Sequence, residues 1–132
     1  MSSPALARIG QISIAAHDLE RAIAFYRDVL GLTFLFQAPP GLAFFEVGGV
    51  RLMLALPEGG ERDHHTSVLY YEVPDIHASA QALQERQVRF ESEPHLVAKL
   101  GKSELWIGFF RDSEGNLVGI MQERPIGESS NR

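Results

Sequence analysis

Apolar and polar side chains alternate over residues 9–16, where Ile12, Ile14 and Ala16 fall on one side of the chain. This period of two predicts a β-strand. From Asp18 onward, apolar residues recur at the three- and four-residue spacing of an amphipathic helix instead. We therefore predict a strand that leads directly into a helix, with the Asp18 carboxylate accepting hydrogen bonds from the free amide groups of the first turn.

Three further strands complete this first unit. The pattern of residues 32–37 predicts one strand, and residues 42–47 and 50–56 flank the dipeptide Gly48-Gly49. Glycines adopt the positive φ angles that two-residue turns need, so this dipeptide predicts a tight hairpin. The predicted order of elements is therefore βαβββ.

The same order recurs after a polar, glycine-bearing stretch at residues 57–65. A strand pattern returns, and a helical pattern follows Asp75. Residues 88–91 and 95–98 predict a strand with a kink at Pro94, because proline cannot donate to a ladder of hydrogen bonds. A final hairpin closes the second unit.

Two pairs of equivalent residues support an internal repeat. Asp18 and Asp75, which each precede a helix, are 57 residues apart. Gly49 and Gly115, which each lie in the last hairpin of a unit, are 66 residues apart. The larger second offset places extra residues between the helix and the hairpin of the second unit, near residues 93–103.

The fold class that follows is α+β, with two tandem βαβββ modules in a single domain. The modules span residues 9–56 and 66–123, the linker spans 57–65, and the ends 1–8 and 124–132 are predicted to be flexible. Each module has one helix to cover one face of its sheet. Twisted sheets set edge to edge curl, so we expect a curved, cup-like mixed sheet with the helices outside and the inner face open to a ligand.

Composition narrows the classes of function. The 132 residues carry 12 basic and 17 acidic side chains, a formal net charge of −5, and 45% of them are hydrophobic. This composition supports a folded core and argues against a nucleic-acid partner. The absence of cysteine excludes disulfides, thiolate metal sites and cysteine nucleophiles. No apolar run is long enough to span a membrane and no signal-peptide pattern opens the chain, so we expect a cytoplasmic protein.

Four segments carry a resemblance to a known family: ISIAAHDLERAIAFYRDVLGL (12–32), FFEVGGVRLML (44–54), LYYEVPDIHASAQAL (69–83) and FFRDSEGNLVGIM (109–121). Through them the sequence resembles the vicinal oxygen chelate superfamily, which includes glyoxalase I, extradiol dioxygenases and bleomycin-resistance proteins. The resemblance covers nearly the whole chain from Ile9 to Glu123 and implies the fold predicted above. It leaves the function open, because this fold hosts lyases, epimerases, dioxygenases, thiol transferases and drug binders.

Metal-dependent members of that superfamily place their ligands at four equivalent inward sites, on the first and last strands of each unit. The repeat offsets locate these sites at Gln11, Met53, Val68 and Gly119. A divalent cation needs several oxygen or imidazole ligands at one point, and only Gln11 offers a donor, a neutral and weak one. We therefore predict no metal and no other cofactor.

The Gly48-Gly49 turn also predicts which side chains face the cup. It pairs Phe44 with Met53, and the 66-residue offset carries Phe44 to Phe110. Aromatic and methionine side chains at strand spacing also occur in ordinary cores, which is the alternative interpretation. We predict a small-molecule pocket with the following lining: Gln11, Ser13, Phe44, Arg51, Met53, Val68, Tyr70, Trp106, Phe110, Gly119 and Met121.

Two polar residues are candidates for acid–base catalysis. His95 follows Pro94 in the irregular part of the second unit, where a loop could fold over the cup, and Glu72 is expected at the rim of the cup. A solvated surface position is the alternative for each. Arg51 is expected either to pair with a carboxylate across the strands or to hold a ligand carboxylate or phosphate. The neighbouring His64 and His65 lack a third metal ligand at suitable spacing, so we interpret them as part of a solvated linker.

Three hypotheses of function remain. The first is a metal-free protein that binds an aromatic or amphipathic small molecule. The second is an enzyme, a glyoxalase-type lyase or isomerase or a dioxygenase-like protein, with a non-standard site. The third is a non-catalytic, dimeric accessory domain.

We predict a homodimer, because small sheets with free edges commonly close by two-fold pairing and because the resemblance implies it. Light scattering at micromolar concentration should give twice the mass of the chain. A monomer mass would contradict the prediction.

Overall fold

The structure is a computed structural model, and it describes residues 4–5, 8–57 and 68–127. The chain divides into two compact units after residue 64. Within the described residues, no helix is long and apolar enough to cross a membrane.

Among the described residues, each unit contains one main helix and four strands. The helix of the first unit, Leu19–Ala24, is followed directly by a π-helical turn at Phe25–Val29. The elements of the first unit are β1 (Gln11–Ala15), α1 (Leu19–Ala24), β2 (Thr33–Ala38), β3 (Leu42–Val47) and β4 (Val50–Ala55). Those of the second unit are β5 (Leu69–Glu72), α2 (Ile76–Glu85), β6 (Phe90–Leu100), β7 (Ser103–Arg111) and β8 (Leu117–Pro125).

The two sheets have the same topology. The strand order is β1-β4-β3-β2 in the first unit and β5-β8-β7-β6 in the second. In each sheet the first strand pairs in parallel with the last strand of the unit, and the remaining pairs are antiparallel. The predicted fold class, two βαβββ modules with mixed sheets, is confirmed.

Both helices begin at the predicted aspartates. The Asp18 carboxylate accepts a hydrogen bond from the Arg21 amide at 3.1 Å, and the Asp75 carboxylate accepts one from the Ala78 amide at 3.2 Å. Each carboxylate satisfies an amide that has no partner within its helix and lies near the positive end of the helix dipole. The caps therefore set the point at which each strand gives way to a helix.

The hairpin of the first unit has the predicted two-residue turn. Gly48 and Gly49 have φ angles of 57° and 90°, which only glycine adopts easily. The turn pairs Val47 with Val50, and the ladder continues to Phe44 opposite Met53, as predicted.

The hairpin of the second unit has a longer turn. Asp112 and Asn116 pair across it through a 2.9 Å backbone hydrogen bond, which leaves three residues in the loop, and Gly115 takes a positive φ of 86°. The extra residue shifts β7 by one position against β8, so that Phe109 rather than Phe110 lies opposite Gly119. A shift of one residue sends every side chain of a strand to the other face.

Strand β6 also differs from its prediction. The two pieces predicted at 88–91 and 95–98 form one edge strand, Phe90–Leu100, and irregular pairing near Pro94 absorbs the missing amide donor. His95 therefore lies in a strand, as the pattern of residues 95–98 predicts, and that strand takes the place of the loop considered for this irregular region.

The end of the second module and the linker were predicted with definite bounds. Strand β8 continues to Pro125, two residues past the predicted end of its module. The predicted linker at residues 57–65 lies outside the described residues, apart from Pro57.

The Asp112 carboxylate holds the longer turn. It is 6% exposed and accepts hydrogen bonds from the Glu114 amide at 2.8 Å, the Asn116 amide at 2.8 Å and the Asn116 side chain at 2.9 Å. Replacing it leaves buried amide donors without a partner, which costs more than the loss of an exposed helix cap.

We predict that Asp112→Ala lowers the free energy of unfolding by about 2–3 kcal/mol. The matched control, Asp75→Ala, removes a helix cap and should cost about 1 kcal/mol. Urea denaturation followed by circular dichroism measures both. Equal losses in the two variants would show that the Asp112 carboxylate does not hold the turn.

Candidate functional site

Each sheet has a face covered by the helix of its own unit, here called the helix face, and an opposite face, here called the open face. In the first unit, the Tyr26 ring of the helical segment lies 6.0 Å from the Phe45 ring, which assigns Phe45 to the helix face. Side chains alternate along a strand, so Phe44 and its cross-strand partner Met53 lie on the open face.

All five lining residues predicted in the first unit lie on its open face. The ladder places Gln11 beside Arg51 and Ser13 beside Met53, and Met53 is opposite Phe44. Their role as ligand contacts stays a prediction.

The side chain of Gln11 is occupied by its neighbours. Its carbonyl oxygen accepts a hydrogen bond from Arg51 Nε at 2.9 Å, and its amide nitrogen lies 3.6 Å from Met53 Sδ. The Arg51 guanidinium also lies over the Phe44 ring, 5.2 Å from its centroid, as in a cation–π contact. Glu46 accepts from the Gly49 amide at 2.7 Å, so Arg51 uses Gln11 and Phe44 in place of a cross-strand carboxylate.

These residues do not fit a divalent metal. Four residues stand where the resemblance places metal ligands: Gln11, Met53, Val68 and Gly119. The Gln11 carbonyl oxygen is already hydrogen-bonded to Arg51. Across the part of the chain that the structure describes, no three histidine or acidic side chains come close enough to hold an ion. Hard cations need several carboxylate or imidazole donors, so no chemical step is assigned to a metal here.

The open face of the second sheet carries two rows of side chains that each cross all four strands. The register of the three strand pairs defines them. In strand order, the first row is Tyr70, Gly119, Phe109 and Ser92, and the second row is Glu72, Met121, Ile107 and His95. Three predicted lining residues, Tyr70, Gly119 and Met121, are in these rows, and Val68 lies one residue before β5.

Trp106 and Phe110 lie on the helix face, and the prediction that they face inward was wrong. Trp106 pairs with Gln122 and its ring lies 5.3 Å from the His77 ring of α2. Phe110 is fully buried, with its ring 5.3 Å from that of Phe90. The cause is the extra residue in the second turn, which breaks the 66-residue offset for β7.

The residues that take these places on the open face are Phe109, opposite Gly119, and Leu105, opposite Glu123, and Ile107 lies between them. The signal that could have found them is the turn itself. Asp112 followed by Gly115 fits a three-residue loop with glycine at the positive-φ position, whereas Gly48-Gly49 fits a two-residue loop.

Trp106 belongs to a packed cluster against α2. The Arg124 guanidinium lies 4.4 Å from the Trp106 ring centroid and 3.7 Å from a Glu104 oxygen. Glu104 in turn accepts a hydrogen bond from the indole nitrogen at 3.1 Å. The Arg124 side chain is only 10% exposed, and its Nε and Nη2 atoms have no hydrogen-bond partner among the described residues. Stacking and the ion pair therefore hold this charge.

The Tyr70 ring occupies the space that a side chain at Gly119 would need. A Cβ atom at Gly119 would lie 2.7 Å from Tyr70 Cδ2 and 3.3 Å from Phe109 Cε1. The Tyr70 and Phe109 rings meet edge to face, with centroids 5.7 Å apart, and the Tyr70 residue remains 47% exposed. Together these three residues form a small aromatic surface, here called the Tyr70 platform.

Glu72 lies beside an open pocket at the end of β5. The pocket has a volume of about 310 Å³ and is lined by Glu72, Val73, Pro74, Gln122 and Glu123. Gln122 is fixed there because its side-chain oxygen accepts a hydrogen bond from the Ile76 amide at 2.9 Å. Glu72 is exposed, and its place at the rim of a cup stays a prediction.

His95 is oriented by its own strand. Its Nδ1 lies 2.9 Å from the Glu93 carbonyl oxygen and 3.3 Å from the Ser92 hydroxyl. A carbonyl oxygen only accepts, so this contact favours the tautomer with the proton on Nδ1 and leaves Nε2 able to accept a proton. His95 and Glu72 lie on opposite edge strands, about 14 Å apart for strands spaced at ~4.8 Å, so they cannot exchange a proton directly.

Tyr71 is a further titratable group of the second unit, and its phenol stays uncharged. Burial, with the Asp112 carboxylate nearby, raises the pKa of Tyr71 to about 12, so its phenol stays neutral near physiological pH. His64 and His65 lie outside the described residues.

Comparison with known proteins establishes the family. Residues 8–120 match the Glyoxalase/Bleomycin resistance protein/Dioxygenase superfamily. The chain therefore belongs to this superfamily, and the resemblance seen in the sequence is confirmed.

Two curated relatives match over most of their length. A mitochondrial methylmalonyl-CoA epimerase from Mus musculus is 28% identical, with 92% of this chain and 77% of that one covered. A glyoxylase-like domain-containing protein from Didymella fabae is 31% identical, with 86% and 91% covered.

Solved structures show the same fold. A lactoylglutathione lyase from Agrobacterium tumefaciens superposes with a TM-score of 0.72 at 22% identity, covering 88% of this chain and 93% of that one. A superfamily member from Sphaerobacter thermophilus gives 0.74 at 21% identity, covering 89% and 98%.

We predict that Gly119→Ala lowers the free energy of unfolding by about 1–3 kcal/mol, because the added methyl group must displace the Tyr70 ring. The same substitution in a Tyr70→Ala background should have a much smaller effect. Urea denaturation of the four proteins in this double-mutant cycle measures the difference. Additive effects would show that the ring does not occupy the Gly119 position.

Proposed function

We propose that this chain binds a small aromatic or amphipathic molecule on the open face of its second sheet, and that it does so without a metal. The observation that carries the proposal is the Tyr70 ring over Gly119. Where the resemblance places a metal ligand, this chain has a glycine covered by an exposed aromatic ring. Such a ring offers a ligand a stacking surface worth about 0.5–1.5 kcal/mol beyond the burial of area.

The layout of the open face supports an amphipathic ligand. Its middle strands present Phe109, Ile107 and Met121, which are apolar. Its edge strands present Glu72 and His95, which are polar and exposed. Small-molecule sites commonly combine an apolar floor with a few polar groups at fixed places.

A metal-free enzyme is the second candidate function. Two relatives, the methylmalonyl-CoA epimerase and the lactoylglutathione lyase, carry enzyme names. The observation that favours this candidate is the free Nε2 of His95, which can accept a proton from a ligand bound beside Ile107. Glu72 is too far away to act on the same proton, so it would serve a separate step or a binding role.

A non-catalytic accessory domain remains the third candidate. It needs no ligand on the open face, so a binding measurement distinguishes it from the other two. The expected homodimer stays a prediction under all three.

We predict that thermal-shift screening with small aromatic acids, amines and thioesters finds a ligand, and that Tyr70→Ala loses the shift. Gln81→Ala, an exposed change on α2, is the matched control and should keep it. Emission from Trp106, the one tryptophan of the chain, should stay unchanged at saturation, because its indole lies on the helix face. His95→Gln should keep binding and lose any turnover.

Metal analysis of the same purified protein completes the test. We expect no stoichiometric Ni, Zn, Fe or Mn and an unchanged melting temperature after chelation. One equivalent of tightly held metal that Gln11→Ala removes would overturn the proposal. Binding that survives Tyr70→Ala would overturn its location.

A further inference from the structure

We infer that the ligand of this open face is a planar aromatic cation, with its ring on the Tyr70 platform and its positive group between Glu72 and Glu123. This inference rests on the proposed function and adds the charge and shape of the ligand. Neither the family match nor the resemblance supplies them. Three features of the second unit carry it: the platform, the adjoining pocket and the charges that line that pocket.

The platform and the pocket are continuous along β5. Tyr70 and Glu72 are two residues apart on one strand, so they face the same way at a spacing of about 6.6 Å. Glu72 lines the pocket together with Glu123, which follows Met121 by two residues on the same face of β8. A flat molecule that stacks on Tyr70 and extends along the strand therefore brings its end to two carboxylates.

The two carboxylates have no counter-charge from the described residues. Glu123 accepts a hydrogen bond from the Ser103 hydroxyl at 2.9 Å, which orients it without neutralising it. Two other glutamates of this unit do have a basic partner: Glu91 pairs with Arg111 at 2.8 Å, and Glu104 pairs with Arg124 at 3.7 Å. An anionic ligand end would meet two like charges in this pocket, whereas a cation would meet two opposite ones.

The aromatic ring favours the same sign of charge. The face of a tyrosine ring carries partial negative charge and attracts ammonium and delocalised aromatic cations. The remaining pocket walls are Val73, Pro74 and the neutral amide of Gln122, so none of them adds a basic group. The ring and the two carboxylates therefore both favour an aromatic cation. The pocket volume of about 310 Å³ admits an ammonium group with its linker.

A pair of probes with one ring system and opposite charges tests this inference. We use 9-anthracenylmethylammonium and 9-anthracenecarboxylate, and follow anthracene anisotropy in titrations of the full chain at neutral pH and low salt. We expect the cation to bind about tenfold more tightly than the anion, since the two exposed carboxylates attract the cation and repel the anion, and each of these effects contributes a factor of a few. Added salt should reduce this preference.

Matched variants locate the preference. Glu72→Gln with Glu123→Gln should abolish most of it, while Glu85→Gln and Glu91→Gln together change the net charge equally and should keep it. Tyr70→Ala should weaken both probes by a similar factor, because it removes the stacking surface that they share. Circular dichroism confirms that each variant is folded.

The outcomes separate this inference from the proposed function. If the anion binds as tightly as the cation and Tyr70→Ala weakens both, the ligand class is wrong while the proposed site stands. A preference that persists in the Glu72→Gln, Glu123→Gln protein also contradicts the inference, since it then reflects the overall charge of −5. If neither probe binds, or Tyr70→Ala changes nothing, the proposed function at this face fails with it.

Discussion

The length of the last turn in each unit decides which side chains the open face presents. In the first unit, two glycines close the turn, and Phe44 meets Met53. In the second unit, the Asp112 carboxylate holds a turn with one more residue, and Phe109 meets Gly119. Because side chains alternate along a strand, that single residue sends Trp106 to the helix and brings Phe109 to the open face.

The two βαβββ units consequently present different side chains on their open faces. The open face of the first unit is polar at one edge, where the Arg51 side chain donates a hydrogen bond to Gln11 and lies over the Phe44 ring. The second has an apolar centre between a carboxylate and an imidazole. Neither face has the set of donors that a divalent cation requires among the described residues, and in the second an aromatic ring lies over Gly119. The family membership fixes the scaffold, while these local replacements define the chemistry.

The sequence predicted the fold because its strongest signals are local. Asp18 and Asp75 cap helices through contacts three residues away, and Gly48-Gly49 allows one kind of hairpin. The open face of the second unit was predicted less well, because the position of each side chain there depends on a turn length. Trp106 and Phe110 were placed by an offset that assumed equal turns.

His95 illustrates a second limit. Its neighbour Pro94 usually interrupts a strand, and the sequence therefore predicted two short pieces with an irregular region between them. The strand continues because β6 is an edge strand, where irregular pairing tolerates a missing donor. Whether a strand lies at the edge or in the centre of a sheet depends on the strand order. The tertiary structure sets that order, and the residues near His95 do not reveal it.

The position of the Tyr70 ring over Gly119 affects the entropy of ligand binding. A surface tyrosine normally samples several rotamers, and a ligand that stacks on it must stop that motion. Here Phe109 and the backbone of β8 border the ring, so fewer rotamers are open to it than to a tyrosine on a bare surface. Because Gly119 has no side chain, the ring can rest on the strand, and a ligand that stacks on it has less motion to stop.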